Sequence, residues 1–227
     1  MTLDISLHKT ILFQILKDIY SDTSISPFLG FKGGTAAMMF YNLDRFSTDL
    51  DFDLLDESSQ KHVFDRMSTI VKKYGSLKES HQKHYSLFLL LSYEDKAHNI
   101  KIEINRRQFG SKYEIKTYLG VPMLVMVPQD MFAHKLMAMY ERVGKTSRDI
   151  YDVWFFLTHR FPINKDIVKQ RAGMPYDQLI DRSVAKLESV NNRDILKGIG
   201  ELLTPSQKDW AKAKLRTETI SLLQLRT

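Results

Sequence analysis

Apolar residues at Leu7, Ile11, Leu12, Ile15, Leu16 and Ile19 recur at helical spacing and predict an amphipathic opening helix over residues 5–20. Pro27 follows its end. Residues 28–31 are a short apolar run closed by Gly33 and Gly34, after which the stretch from Thr35 to Tyr41 favours a helix, so this segment reads as strand, tight turn, helix. Residues 49–54 alternate strictly and predict a strand. A helix over residues 59–74 comes next, with Val63, Met67, Ile70 and Val71 on one face and Gly75 at its stop. Strand patterns then occupy residues 86–93, 99–105, 112–118 and 123–127, with polar turn-forming residues between most of them.

From Pro128 the periodicity is helical almost throughout, over residues 129–143, 147–159, 164–172, 176–189, 192–202 and 206–225, with Gly144, Pro162, Pro175 and Pro205 as punctuation. The expected organisation is an α/β domain with a mixed sheet over residues 1–127, followed by a helical domain over 128–227. No internal repeat or low-complexity tract interrupts either part.

Composition is that of an ordinary globular protein: of 227 residues, 43% are apolar and 26% charged, with ten glycines and six prolines. The absence of cysteine excludes disulfides and thiolate metal sites, leaving oxygen or imidazole ligands for any metal, and suits a reducing cytoplasm. The amino-terminal stretch mixes acids and polar residues into every apolar run, unlike a signal peptide, and the longest apolar runs are too short to cross a bilayer. Net charge is +6, unevenly placed. Residues 1–127 carry 16 Lys and Arg against 15 Asp and Glu, whereas residues 128–227 carry 17 against 12. A basic lobe beside an acidic site suits an enzyme acting on nucleic acid, and a basic surface kept only for solubility has the same composition.

Three constellations carry candidate chemistry. Residues two apart in a strand share a face, so Asp49 and Asp51 point the same way, a repulsive arrangement that a magnesium ion bridging both carboxylates and a triphosphate would relieve. Asp53 extends the alternation about 7 Å further and is the lesser candidate ligand. Upstream, Gly33 and Gly34 let the backbone approach phosphate oxygens, a helix starting at Thr35 would aim its free amides at them, and Thr35 adds a hydroxyl. In residues 99–105, Ile100, Ile102 and Ile104 face one side while Lys101, Glu103 and Asn105 face the other. That polar side either meets solvent or faces the acidic strand, where Glu103 would be a third carboxylate able to hold metal and accept a proton. In the predicted helix 129–143, Lys135 and Arg142 lie two turns apart on nearly one face and could straddle a triphosphate or sit in water. Arg148, Asp149 and Asp152 open the next helix, where capping and i,i+4 pairing account for them unless the fold brings Asp149 to Lys135.

The phrases FKGGTAAMMFYNLDRFSTDLDFDLL, IKIEINRR and QDMFAHKLMAMYERVGKTSRDIYDVWFFL, in this order over residues 31–157, resemble the ordered motifs of the AbiEii/AbiGii-type nucleotidyltransferase toxins of bacterial type IV toxin-antitoxin and phage-defence systems. The resemblance implies a polymerase-β-like nucleotidyltransferase fold with an appended helical domain, a nucleoside triphosphate substrate and Mg²⁺, with Mn²⁺ as a substitute. It further implies an acceptor such as the 3′ end of transfer RNA, with translation blocked, and a cognate antitoxin encoded nearby. Carried onto this chain, Asp49, Asp51 and Glu103 would hold metal. Gly33, Gly34 and Thr35 would hold phosphate, Arg45 and Ser47 would support the metal strand and, with Lys101, bind nucleotide, and Lys135, Arg142 and Asp149 would complete the nucleotide site. The chain departs from the pattern in having Thr35 where related enzymes have Ser, and Glu103 where Asp is more usual. Transfer to a protein or small-molecule acceptor, and a non-catalytic nucleotide-binding module, are the competing readings.

Overall fold

Period-two apolar patterns need a partner layer, and the first part of the chain supplies it from its own helices. The structure, a computed structural model, describes residues 4–94 and 99–226. These form two compact units. The first comprises the described residues up to Gln108 together with Lys112–Met126; the second comprises Phe109–Ser111 and the described residues from Val127 onward.

In the first unit, helix α1 (Ile5–Ser21) precedes strand β1 (Leu29–Lys32), helix α2 (Gly33–Phe40), strand β2 (Leu50–Leu54) and helix α3 (Gln60–Val71). Strands β3 (Ser76–Gln82), β4 (Ser86–Ser92), β5 (Ile100–Asn105), β6 (Tyr113–Tyr118) and β7 (Val121–Met126) complete it. They make one seven-stranded sheet in the order β3-β4-β5-β2-β1-β7-β6. Pairing is parallel between β1 and β7 and between β2 and β5, and antiparallel elsewhere, which makes the sheet mixed.

One face of this sheet is core. Phe31 and Phe52 are paired across β1 and β2, Leu50 and Phe52 across to Ile102 and Ile104, and those to Leu89 and Leu87, all essentially buried. Leu12, Ile15, Leu16 and Ile19 of α1 and Val63, Met67, Ile70 and Val71 of α3 are buried as well, and both helices pack against the sheet. Leu7, expected on the buried stripe of α1, is 38% exposed, and His8 beside it is buried instead. The other face carries Asp51, Asp53, Lys101, Glu103, Asn105, Phe88 and His81, the alternate positions.

A polar cluster stitches four strands on that second face. Asp53 accepts hydrogen bonds from Lys32 Nζ (2.5 Å), Asn105 Nδ2 (2.7 Å) and Tyr113 Oη (2.5 Å), which belong to β1, β5 and β6. Burial works against its charge, but Lys32 and the three hydrogen bonds prevail and hold its carboxyl below the usual range. The Tyr113 ring lies across Gly30, where any Cβ would overlap it.

The second unit packs helix α4 (Pro128–Arg142) against α5 (Arg148–Thr158), α6 (Lys165–Ala172) and α7 (Tyr176–Glu188). It closes with α8 (Pro205–Trp210), a five-residue π-helical stretch Ala211–Leu215, and α9 (Arg216–Gln224), which packs on α5 and α7. Phe132 and Phe156 stack at 5.3 Å in its core.

One strand was not foreseen and one expected helix is corrected. Strand β3 has no counterpart in the periodicity, because SLKESHQ is an edge strand with almost every side chain exposed and has no apolar face to reveal it. The helix expected over 192–202 is absent from these described residues, which hold only short 3₁₀ turns at Asn192–Asp194 and Gly200–Leu202. Gly198 between them has φ +71°, and a Cβ there would stand 2.7 Å from Thr146 Oγ1.

The pinned Tyr113 ring makes a stability prediction. Gly30→Ala overpacks a ring that cannot swing without releasing Asp53, which should cost about 1–3 kcal/mol, while Tyr113→Phe removes a hydrogen bond to a buried charge, costing about 1.5–3 kcal/mol. Each kcal/mol lowers the melting midpoint by about 2–4 °C at this size. The double variant should lose less than the sum, because the freed ring can move. Thermal melts of the four proteins check it, and strict additivity would refute the pinning.

Candidate active site

The turn between β1 and α2 shapes the site. Gly33 adopts φ +85°, a conformation that favours glycine, and a Cβ there would overlap the Asp51 carboxylate. A Cβ on Gly34 would stand 2.6 Å from Ser47 Oγ and 3.1 Å from an Arg45 guanidinium nitrogen. Both glycines therefore permit close approach of the segment carrying Arg45, Ser47 and Asp51. The helix begins at Gly33, two residues before the expected start at Thr35, so the amides of its first turn include those of the glycines themselves.

Thr35 does not present its hydroxyl to the solvent. It is fully buried and donates to the backbone carbonyl of Asp49, tying α2 to the start of the acidic strand. Arg45 and Ser47 are buried too, with Arg45 Nη1 donating to the Phe46 carbonyl at 2.8 Å. On the far side, His8 Nε2 donates to the carbonyl of Thr48 at 3.0 Å, while its Nδ1 lies 2.8 Å from the Tyr93 hydroxyl. His8 escaped the sequence reading. A buried histidine in an amphipathic helix has no signature apart from its place on the apolar stripe, and here it fixes the residue next to Asp49.

Parallel pairing of β2 with β5 sets Asp51 directly beside Glu103, and Asp53 beside Asn105. The polar side of β5 thus faces the acidic strand, one of the two alternatives left open by alternation. Lys101 Nζ lies 3.3 Å from Glu103 Oε2, 3.8 Å from Asp49 Oδ2 and 4.0 Å from Asp51 Oδ1. Burial disfavours its charge, but Asp51, Asp49 and Glu103 outweigh that and raise its pKa. These four side chains are 20–38% exposed, so the cluster is open to solvent on one side. Among the described residues no three His, Cys, Asp or Glu side chains form a ready cage for a metal ion. The carboxylates gather around an ammonium.

In the second unit, Lys135 pairs with the fully buried Asp152 at 2.6 Å, and Arg142 pairs with Asp149 at 2.8 Å. The pairing of Asp149 with Lys135 considered from the sequence is therefore not formed. One helical turn separates the two acids, and Asp152 is the one that reaches the lysine. Asp149 Oδ2 is buried without a hydrogen-bond partner, whereas its Oδ1 holds Arg142.

Comparison with known proteins agrees with this geometry at the level of family and fold. The chain matches two solved structures across its whole length: a candidate nucleotidyltransferase from H. pylori, with a TM-score of 0.57, 17% identity and 99% of that chain covered, and JHP933 from Helicobacter pylori, with a TM-score of 0.52, 17% identity and 96% covered. At such identity the likeness concerns the fold. No curated protein matches the chain. The family model for the nucleotidyl transferase AbiEii toxin of type IV toxin-antitoxin systems matches residues 14–219, and the chain belongs to that family.

Proposed function

We propose that the protein is a magnesium-dependent toxin that transfers a nucleotide from a nucleoside triphosphate to RNA, at the 3′ end of transfer RNA, and thereby blocks translation. The observation that carries this reading is the gathering of Asp49, Asp51 and Glu103 within 4.0 Å of one ammonium, beside a glycine turn that opens α2 with no side-chain cap. Family membership supports the triphosphate and an antitoxin partner. No helix among the described residues is long and apolar enough to cross a membrane.

The donor set fits magnesium. Asp49, Asp51 and Glu103 all lie within 4.0 Å of Lys101 Nζ, a gathering of negative oxygen donors that would attract a hard cation, with Lys101 as the competing positive charge. Magnesium is commonly held by one or two carboxylates plus substrate phosphates rather than by an all-protein cage. Asp49 and Asp51 would hold it, with Glu103 as the third carboxylate, since Asp53 is committed to Lys32, Asn105 and Tyr113. Bound there, the ion would neutralise phosphate charge and lower the pKa of the attacking hydroxyl.

In the reaction, the acceptor 3′-oxygen forms a bond to the α-phosphorus, the bond from that phosphorus to the bridging oxygen breaks, and pyrophosphate leaves. The hydroxyl proton passes to the Glu103 carboxylate. The first-turn amides of α2 take the charge of the phosphates. Within the helical unit, Lys135 is held by Asp152 and Arg142 by Asp149.

Two outcomes are expected. With labelled triphosphates, Mg²⁺ and total RNA, label enters RNA, and Asp49→Ala or Asp51→Ala cuts incorporation at least about a hundredfold; absence of label with any of the four nucleotides overturns the reading. Independently of activity, Lys101→Met lowers the melting midpoint in EDTA by leaving three carboxylates without their counter-ion. Its gain on adding Mg²⁺ with a non-hydrolysable triphosphate then exceeds that of the wild type. Equal gains in the two proteins would argue against metal at these carboxylates.

A further inference from the structure

The register of the sheet places the reactive carboxylates in a line that continues well beyond them. On the second face, Lys32, Asp51, Glu103, Phe88 and His81 are successive cross-strand partners on β1, β2, β5, β4 and β3. The glycine turn follows Lys32 at one end. At the other end stand two rings, Phe88 and His81, whose planes lie within 20° of each other at a centroid distance of 6.2 Å. Lys83 Nζ lies 5.3 Å from the Phe88 ring centroid. Phe88 is half-exposed while its neighbours Leu87 and Leu89 are buried, and His81 and Lys83 are exposed.

This is an unusual placement for a large aromatic. Phe88 pairs directly with Glu103 and turns its ring to the polar face of the sheet rather than to the core. With strands about 4.8 Å apart, its backbone lies one strand spacing from Glu103 and that of His81 two. Exposed aromatics beside a cation are the recurring surface on which bases of a single strand stack, since every base has a π-face and the cation meets the backbone phosphate. Glu79 approaches His81 at 3.4 Å on the same strand, so the phosphate contact falls to Lys83.

We propose that Phe88 and His81, with Lys83, form the acceptor subsite: the terminal nucleotides of a single-stranded RNA 3′ end stack there and present the terminal hydroxyl to Glu103. The inference rests on the nucleotide-transfer reading above and adds the side from which the acceptor arrives. Phosphates of the donor meet the glycine turn at the β1 end of the row, and the acceptor base meets the rings at the β4–β3 end. Asp51 and Glu103 lie between them. A stacked strand advances about 3.4 Å per nucleotide, so the span from Glu103 to His81 accommodates about three nucleotides. The subsite favours a free single strand over a duplex end, because a base must leave its stack to lie on the rings.

The test measures RNA and triphosphate binding separately in the full-length protein. A 5′-labelled oligoadenylate with a free 3′-hydroxyl is titrated by fluorescence anisotropy, alongside a blunt duplex of the same length. A non-hydrolysable triphosphate with Mg²⁺ is titrated in parallel. The wild type should prefer the single strand. Phe88→Leu and His81→Ala should each weaken it at least about fivefold, Phe88→Trp should retain it, and triphosphate affinity should stay within about twofold throughout. His81 is exposed on an edge strand, so its variant decides the matter if Phe88→Leu proves unstable in a thermal melt. Unchanged single-strand affinity in a folded variant overturns the subsite while leaving nucleotide transfer intact. Loss of triphosphate affinity in step with RNA affinity would instead seat the donor base on the rings and overturn the acceptor assignment. A wild type that neither binds nor labels RNA overturns both readings.

Discussion

Asp49, Asp51 and Glu103 stand within 4.0 Å of a single lysine ammonium, and this concentration of like charge is the constraint around which the sheet is arranged. Three carboxylates so placed repel one another and resist desolvation, and only a cation in their midst makes the grouping tolerable. Lys101 is delivered to that position by β5, the same strand that delivers Glu103, because alternation puts both on one face. Parallel pairing with β2 then aligns that face with Asp51. A fourth acid in the immediate neighbourhood would have overloaded the lysine. Asp53 is instead neutralised by Lys32 and buried under Tyr113, which separates the structural carboxylate from the ones left open to solvent.

The backbone has been cleared around this cluster. Gly30 leaves room for the Tyr113 ring, Gly33 for the Asp51 carboxylate, and Gly34 for Ser47 and Arg45. Each absence of a side chain thus serves a neighbour that arrives from a different strand or loop. Packing on the opposite, apolar face is conventional by comparison: α1 and α3 cover a layer of Phe, Leu and Ile side chains, and this supplies the rigidity that holds the polar face in register.

Most of this arrangement was legible in the chain, for reasons that differ between elements. The alternation of Ile100, Ile102 and Ile104 with Lys101, Glu103 and Asn105 announced β5, and the glycines announced the turn. What alternation cannot say is which strand lies alongside, and the adjacency of residues 51 and 103 is a long-range pairing with no local trace. Strand β3 was invisible because an edge strand with both faces wet needs no apolar period. The helical unit shows the same limit: a spacing of seven placed Lys135 and Arg142 on a common side, but which acid each would find depended on how α4 and α5 pack, and Asp152 took the lysine. The hydroxyl of Thr35, expected to meet phosphate, turned inward to a main-chain carbonyl.

That inward turn has a mechanical consequence. Because the Thr35 hydroxyl hooks the first turn of α2 onto the carbonyl of Asp49, and His8 grips the preceding carbonyl at Thr48 from the other side, the peptide before the acidic strand is clamped between two helices. A displacement of the short helix α2 along its axis is therefore passed to the backbone that bears the first aspartate. The position of the first aspartate is thus set jointly by α1 and α2, from opposite sides of one short stretch of backbone.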